Sequence, residues 1–222
     1  MTEASLREQK KQQTRQLIAD TAARLFAERG FDGVSVAEIA RTAQLSEVTV
    51  FNYFPTKGDL VFGRMEFIEE RLVSAVEQRA PQESIAAAFS RVLLAEIDQL
   101  AARAEVIAKA AAVIRASATL QTREREITEQ YTTRLATILA AEAGANHDDI
   151  EARTVASALM AVHRGLLEHV RNAVLTGRRG ASLAEGAAEQ ARRALVRLES
   201  GLAGYPARGA VRSQAGSMDI GQ

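Results

Sequence analysis

The chain has no cysteine, no tryptophan and only three prolines in 222 residues. Without cysteine there is no disulfide framework, no thiolate zinc site and no thiol nucleophile. Without tryptophan, an aromatic cage around a quaternary cation is a poor expectation. Scarce proline leaves long stretches free to stay helical. No alternating β-branched run marks a strand, and no apolar run approaches the ~18 residues of a membrane span. The stretch Met1 to Gln13 is polar and lacks the apolar core of a secretion signal. These absences point to a cytoplasmic protein with no membrane partner. A Gly-rich phosphate loop and an HExxH helix are missing too, which weakens an enzymatic reading. No cofactor and no metal are expected. His147-Asp148-Asp149 lies where an aspartate is wanted as a helix cap, and His163 and His169 fall on different helix faces.

What the chain does have is apolar residues, 47% of the total, and a great deal of alanine. Helical periodicity runs through nearly all of it. Helices are predicted over about 8–29, 35–42, 46–53, 57–79, 82–101, 104–116, 121–143, 149–176 and 182–202. The first carries a stripe of Leu17, Ile18, Thr21, Ala22, Leu25 and Phe26, and Gly30 stops it. Ser35-x-x-Glu38 and Thr56-x-x-Asp59 read as capping boxes, and Ser46 as an N-cap. The fold class is therefore all-α. An N-terminal three-helix domain over 8–56 precedes a helical bundle over 57–203. The Gly- and Ser-rich stretch 204–222 is expected to be a disordered tail.

The 28 basic and 28 acidic residues cancel. Local charge matters more for nucleic acid than the total. Lys10, Lys11, Arg15, Arg41 and Lys57 lie in or beside a helix-turn-helix whose centre is residues 35–57. That segment reads as two short helices joined by a turn at Gln44-Leu45. In the second, Val50 and Phe54 fall four apart and can dock inward. Glu47, Val48, Thr49, Asn52 and Tyr53 then face out. Asn52 suits adenine, Glu47 a cytosine amino group, and Val48 and the Thr49 methyl a thymine methyl. The hydroxyls of Thr49 and Tyr53 suit phosphate. Lys57 opens the next helix, whose first turn also favours phosphate. The competing reading is an ordinary exposed face of a small bundle.

Four runs decide between them: Leu25-Phe26-Ala27-Glu28-Arg29-Gly30-Phe31, Ser35-Val36-Ala37-Glu38-Ile39-Ala40, Leu45-Ser46, and Thr49-Val50-Phe51-Asn52-Tyr53-Phe54-Pro55-Thr56-Lys57. Together they resemble the TetR family of bacterial transcription regulators, over about residues 12–60. The resemblance implies a homodimer on double-stranded operator DNA, a repressor released by a small-molecule effector. It implies Ser35 and Val36 near phosphate, Glu47, Val48, Thr49, Phe51, Asn52 and Tyr53 on the reading helix, and Lys57 on phosphate. Two positions depart from the family pattern. Phe51 stands where tyrosine is usual, and Asn52 where histidine is common. Phe51 to Pro55, Asp59 to Val61 and His163-Arg164-Gly165 also resemble an actinobacterial subgroup, some of whose members respond to acyl-CoA-like ligands.

Beyond residue 60 only the helical layout resembles the family. The last two helices carry stripes suited to a four-helix dimer interface, with Leu159, Leu166, Val170, Ala191, Leu195 and Leu198 as its residues. The competing reading has these stripes facing their own core. An effector pocket is expected among Phe62, Met65, Phe89, Ile107, Ile114, Arg115, Tyr131, His163 and Leu166. Arg115 is the candidate partner for a ligand carboxylate or phosphate. His163 is read as a satisfied core histidine or a pocket residue. The aliphatic lining favours an apolar or amphipathic effector. The alternatives are an effector-independent architectural DNA-binding protein and a ligand-dependent activator of the same fold.

Overall fold

A computed structural model describes residues 3–202; the expected tail, 204–222, lies outside them. The described residues form nine helices and no strand. They are α1 (Glu3–Arg29), α2 (Val36–Thr42), α3 (Glu47–Tyr53), α4 (Asp59–Glu77), α5 (Ile85–Ala102), α6 (Ala104–Ala116), α7 (Ala118–Glu142), α8 (Ile150–Leu175) and α9 (Gly180–Leu202). The all-α expectation holds, with each helix within a few residues of its predicted span.

Side-chain caps set most of the starts. Ser35, Ser46, Ser84 and Asp149 each accept a backbone N–H three residues on, satisfying one of the orphan donors of a helix N-terminus. Ser117 does the same for Leu120, which is why α7 begins three residues before its predicted start. Thr56 and Asp59 form a reciprocal box: the Thr56 N–H donates to Asp59 at 2.7 Å and the Asp59 N–H to Thr56 at 3.3 Å. At Ser35 the Glu38 N–H donates to the serine hydroxyl at 3.2 Å, and the Glu38 carboxylate, which faces the Ser35 N–H, is also ion-paired with Arg29.

Two apolar clusters hold the fold. One joins Ile18, Ala22, Leu25 and Phe26 of α1 to Ile39, Val50 and Phe54. It continues without a break into Leu60 and Phe62 of α4, Ile114 of α6, and Leu120 and Ile127 of α7. The other joins the later turns of α4 to α5, α7, α8 and α9. Each fully buried large side chain stabilises by roughly 1.5–3 kcal/mol. Helix α4 is thus common to both. Leu17, predicted on the buried stripe of α1, is instead 48% exposed. The stripe is narrower than six residues because Ile18, Ala22, Leu25 and Phe26 already fill the contact.

The proposed dimer residues need the same correction. Leu159, Leu166, Val170, Ala191 and Leu195 are buried within the chain's own second cluster, and Leu198 packs against it. The physical reason is that α8 and α9 lie against each other and against α5 and α7. Their most apolar stripes are consumed there and are not free for a partner.

Candidate DNA interface and ligand chamber

The reading helix is held from behind. Val50 is buried in the seven-residue α3, and Phe54 just after it is buried too. That fixes the opposite face outward: Val48 is 69% exposed and Phe51 43%, with Glu47 and Asn52 exposed beside them. Thr49 and Tyr53 lie at the margin, half-buried. The Thr49 hydroxyl is not idle, since it shares a hydrogen bond with the capping Ser46 at 2.8 Å. A phosphate contact there has to compete with the cap. Ser35 is exposed and Val36 half-buried at the start of α2. The turn between α2 and α3 places Gln44 at φ 57°, a left-handed conformation uncommon for a side chain of this size.

Arg15 has a role that charge counting missed. Its guanidinium donates to the Tyr53 carbonyl at 2.9 Å and stacks over the Phe54 ring, 4.5 Å from its centroid. It therefore caps the C-terminal end of the reading helix, where the exposed carbonyls attract a cation. A Cβ built on Gly63 of α4 would lie 3.1 Å from Arg15 Nη2 and 3.3 Å from the Phe54 ring. Only a glycine lets α4 approach this closely without displacing something. Lys57 lies with its Nζ 4.2 Å from the centroid of the Phe31 ring, and partial burial lowers its pKa. The ammonium is thus oriented by an aromatic face beside the reader.

Further along the chain, the expected pocket residues separate. Phe62, Met65, Ile107, Ile114, His163 and Leu166 line one apolar cavity of about 120 Å³ between α4, α5, α6 and α8. Phe89 does not; it is wholly buried in the second cluster. Tyr131 lines a cleft between α1, α4 and α6 instead. Arg115 is exposed and donates to Asn172 at 2.6 Å, because the helical turn that buries Ile114 sends its neighbour outward.

A more polar cavity of about 530 Å³ adjoins the apolar one, among α4, α7 and α8. The two share Met65, His163, Leu167 and Arg171. At this junction Glu69 is 0% exposed and His163 6%. Neither is fully satisfied: among the described residues Glu69 Oε2 and His163 Nε2 have no hydrogen-bond partner. They stand 3.9 Å apart at the nearest, too far for a hydrogen bond. Thr128 offers Glu69 Oε1 a long bond of 3.4 Å. Burial raises the Glu69 pKa to about 8; the Thr128 bond opposes this, and Glu66 and Glu124 add to it. Burial lowers that of His163 to about 4, helped by Arg171. His163 is therefore not the satisfied core histidine that was one expectation. Glu69 was missed altogether. A signal existed: it falls four residues after Met65 and four before Val73, on the apolar stripe of α4.

A short helix presented outward from a three-helix unit, on a wholly helical body, is the architecture of a helix-turn-helix transcription regulator. Residues 18–62 match the family of bacterial regulatory proteins called tetR. Over these residues the chain carries a TetR-family DNA-binding domain. It is 49% identical over 47 residues to the HTH-type transcriptional regulator LuxR of Vibrio harveyi, covering 21% of this chain and 23% of that one. With MftR of Mycobacterium tuberculosis the identity is 26% over 159 residues, 68% of this chain and 77% of the relative. The match to LuxR thus spans under a quarter of that relative, while the match to MftR runs on into the C-terminal helices. Among solved structures, SmeT in complex with triclosan aligns with a TM-score of 0.56 at 18% identity, over 90% of this chain and 97% of the other. FadR from Bacillus subtilis, in complex with stearoyl-CoA, aligns at 0.52 and 21%, over 84% and 98%. At these identities the likeness is one of fold.

Proposed function

We propose that the protein is a homodimeric transcription repressor that reads an operator with α3 and releases it on binding a small amphipathic molecule. The observation that carries the reading is the two-faced α3, anchored by Val50 and Phe54 while Glu47, Val48, Phe51 and Asn52 stand exposed. In this reading residues 8–56 contact DNA and residues 57–203 sense the effector and dimerise. Asn52, Glu47 and Val48 read base edges; Ser35, Tyr53 and Lys57 hold phosphate. With the apolar stripes of α8 and α9 buried, the outer faces of those helices supply the dimer surface, where Ala161, Gly165 and Val196 are exposed. The stearoyl-CoA and triclosan complexes of FadR and SmeT support small-molecule sensing by this architecture.

The route from sensor to reader runs through α4. Its first turns pack with the DNA-binding core, and Met65 and Ile68 line the apolar cavity. An effector seated there changes the tilt of α4, and Gly63 passes the change to Arg15 and Phe54. Two reading helices of a dimer must sit one DNA turn apart, about 34 Å, so a change in tilt costs operator affinity.

Operator selection from a random library, followed by footprinting, tests the reading. The expected product is an inverted repeat. Asn52→Ala then changes which sequences are preferred. Lys57→Ala weakens all of them and lowers the salt slope by about one. A monomer that binds unrelated sequences equally well refutes it.

A further inference from the structure

The junction of the two cavities holds a carboxylate oxygen, Glu69 Oε2, and an imidazole nitrogen, His163 Nε2, that no described residue satisfies. An unpaired buried polar atom costs about 1–3 kcal/mol, so two of them facing one cavity are a cost without a structural return. Neither is needed for packing: the helices they sit on, α4 and α8, are already held by Leu72, Val73, Leu159 and Val170.

The charge around them favours one class of guest. Arg171, whose charge acts on His163, is already engaged, donating to Glu124 at 2.5 Å and to Glu168 at 3.1 Å. The charges that act on Glu69 are those of the carboxylates Glu66 and Glu124, and both favour a cation beside it. The other two arginines of the polar cavity, Arg125 and Arg164, are exposed, so an anionic headgroup at the buried end meets Glu69 and an Arg171 that is already paired. A cation meets Glu69. Glu69 Oε2 accepts once ionised, and Nε2 of a neutral His163 accepts in the tautomer that keeps its proton on Nδ1. The guest must therefore bring N–H donors, which a quaternary ammonium lacks. The neighbouring cavity, lined by Phe62, Ile68, Leu93, Ile107 and Leu166, takes an apolar body.

We propose that this junction binds an amphipathic primary or secondary amine, its N–H groups shared between Glu69 Oε2 and His163 Nε2 and its apolar chain lying in the α4–α5–α6–α8 cavity. The proposal rests on the sensor reading of the C-terminal helices and names the chemical class sensed. Binding is an exchange of one cation for another. The ammonium arrives carrying its charge, the Glu69 carboxyl gives up its proton to solvent, and the ion pair remains. The charged groups lining the polar cavity are Glu124, Arg125 and Glu129 from α7 and Arg164, Glu168 and Arg171 from α8, with Glu66 acting on Glu69 from the same helix. Glu124 and Glu168 are paired with Arg171, Glu129 with Arg153 and Glu66 with Arg123, while Arg125 and Arg164 are exposed. Glu69 is thus the group whose proton leaves.

The test is titration calorimetry on the full chain without DNA at pH 7, in buffers of differing ionisation enthalpy. The probes are n-octylamine, octyltrimethylammonium, n-octanol and octanoate. The expected result is octylamine at least tenfold tighter than the other three, with release of close to one proton per amine bound. Glu69→Gln loses the amine preference and the proton release while still binding octanol. Equal binding of octanol and octylamine, or of the quaternary ion, overturns the proposal. So does amine binding without proton release on the wild-type chain, a measurement that stands even if the variant does not fold. A separate gel shift with the selected operator keeps the two readings apart. Amine that binds as described but leaves the operator bound supports this site and refutes the repressor mechanism. Operator release by octanol or octanoate in preference to octylamine does the opposite.

Discussion

The two working regions are built on opposite plans. Around α3 the polar groups that set the geometry have partners: Ser46 caps Thr49, Arg15 takes the Tyr53 carbonyl, and Thr56 and Asp59 cap each other. Around Glu69 and His163 the partners are missing. A DNA reader must hold its geometry before the ligand arrives, since specificity depends on placement to within a fraction of an ångström. A sensor must leave something for the ligand to complete. Unsatisfied groups in a native core mark where completion comes from outside.

The contrast is broken most directly by removing the reader's anchor. Phe54→Ala deletes a buried ring that touches Arg15 and approaches Gly63. The expected loss is about 3–5 kcal/mol of stability, read as a fall in the urea midpoint. Because Leu60, Phe62, Ile114 and Ile127 belong to the same apolar cluster, the chain should still unfold in one transition. Two separate transitions show that the reader is an independent unit and that α4 does not bind it to the rest.

The next effect tests the sensor half. The folded pKa of Glu69 is raised to about 8, so its stabilising contribution is complete below the unfolded value near 4.5 and drains away as pH rises toward 8. His163 is lowered to about 4, so its contribution is present above the unfolded 6.5 and is lost as pH falls. Between pH 4.5 and 6.5 the two slopes oppose each other. From pH 6.5 to 8 Glu69 dominates, and the wild-type chain should lose about 1 kcal/mol. Glu69→Gln should be flat over that window and more stable than the wild type at pH 8. Urea titrations of both proteins at pH 6.5 and pH 8 check it. Parallel curves mean that Glu69 is ionised in the folded chain.

The same division explains what could be read in advance. The reader is a local structure: caps, a turn and an i, i+4 anchor lie within some twenty consecutive residues, so spacing alone places Val50 inward and Asn52 outward. The chamber is not local. Glu69, Thr128 and His163 are far apart in sequence, and their meeting depends on how α4, α7 and α8 cross. Periodicity gave the buried stripes of α8 and α9 correctly, but it does not tell a stripe facing its own core from one facing a partner. That is why Leu159 and Leu195 were assigned to a dimer surface. Arg15 was counted as a surface charge because nothing in its own helix reveals the carbonyl it reaches, 38 residues away.

A smaller change probes the joint between the two regions. Gly63→Ala gains up to about 1 kcal/mol of helix propensity in α4. It also forces Arg15 or the Phe54 ring to give way by a few tenths of an ångström. The two contributions roughly offset in stability but not in geometry. The expected outcome is an unchanged urea midpoint with operator affinity reduced several-fold. An operator affinity equal to that of wild type shows that the contact at Gly63 does not set the reader's angle.

The smallest expected effect isolates the reader's only departure from its relaxed plan. Gln44 holds φ 57° in the turn that sets α2 against α3, where a side chain costs roughly 1–2 kcal/mol against Cβ. Glycine removes that strain and returns part of the gain through greater freedom of the unfolded chain, about 0.5–1 kcal/mol. Gln44→Gly should therefore stabilise by roughly 0.5 kcal/mol, and Gln44→Val should destabilise by more than that. If the turn is held by its surroundings alone, operator binding is the same in wild type and Gln44→Gly. A stabilised variant with weakened binding means instead that the left-handed glutamine takes part in fixing the helix-turn-helix angle. In that case the reader, like the sensor, keeps a local cost for the sake of function.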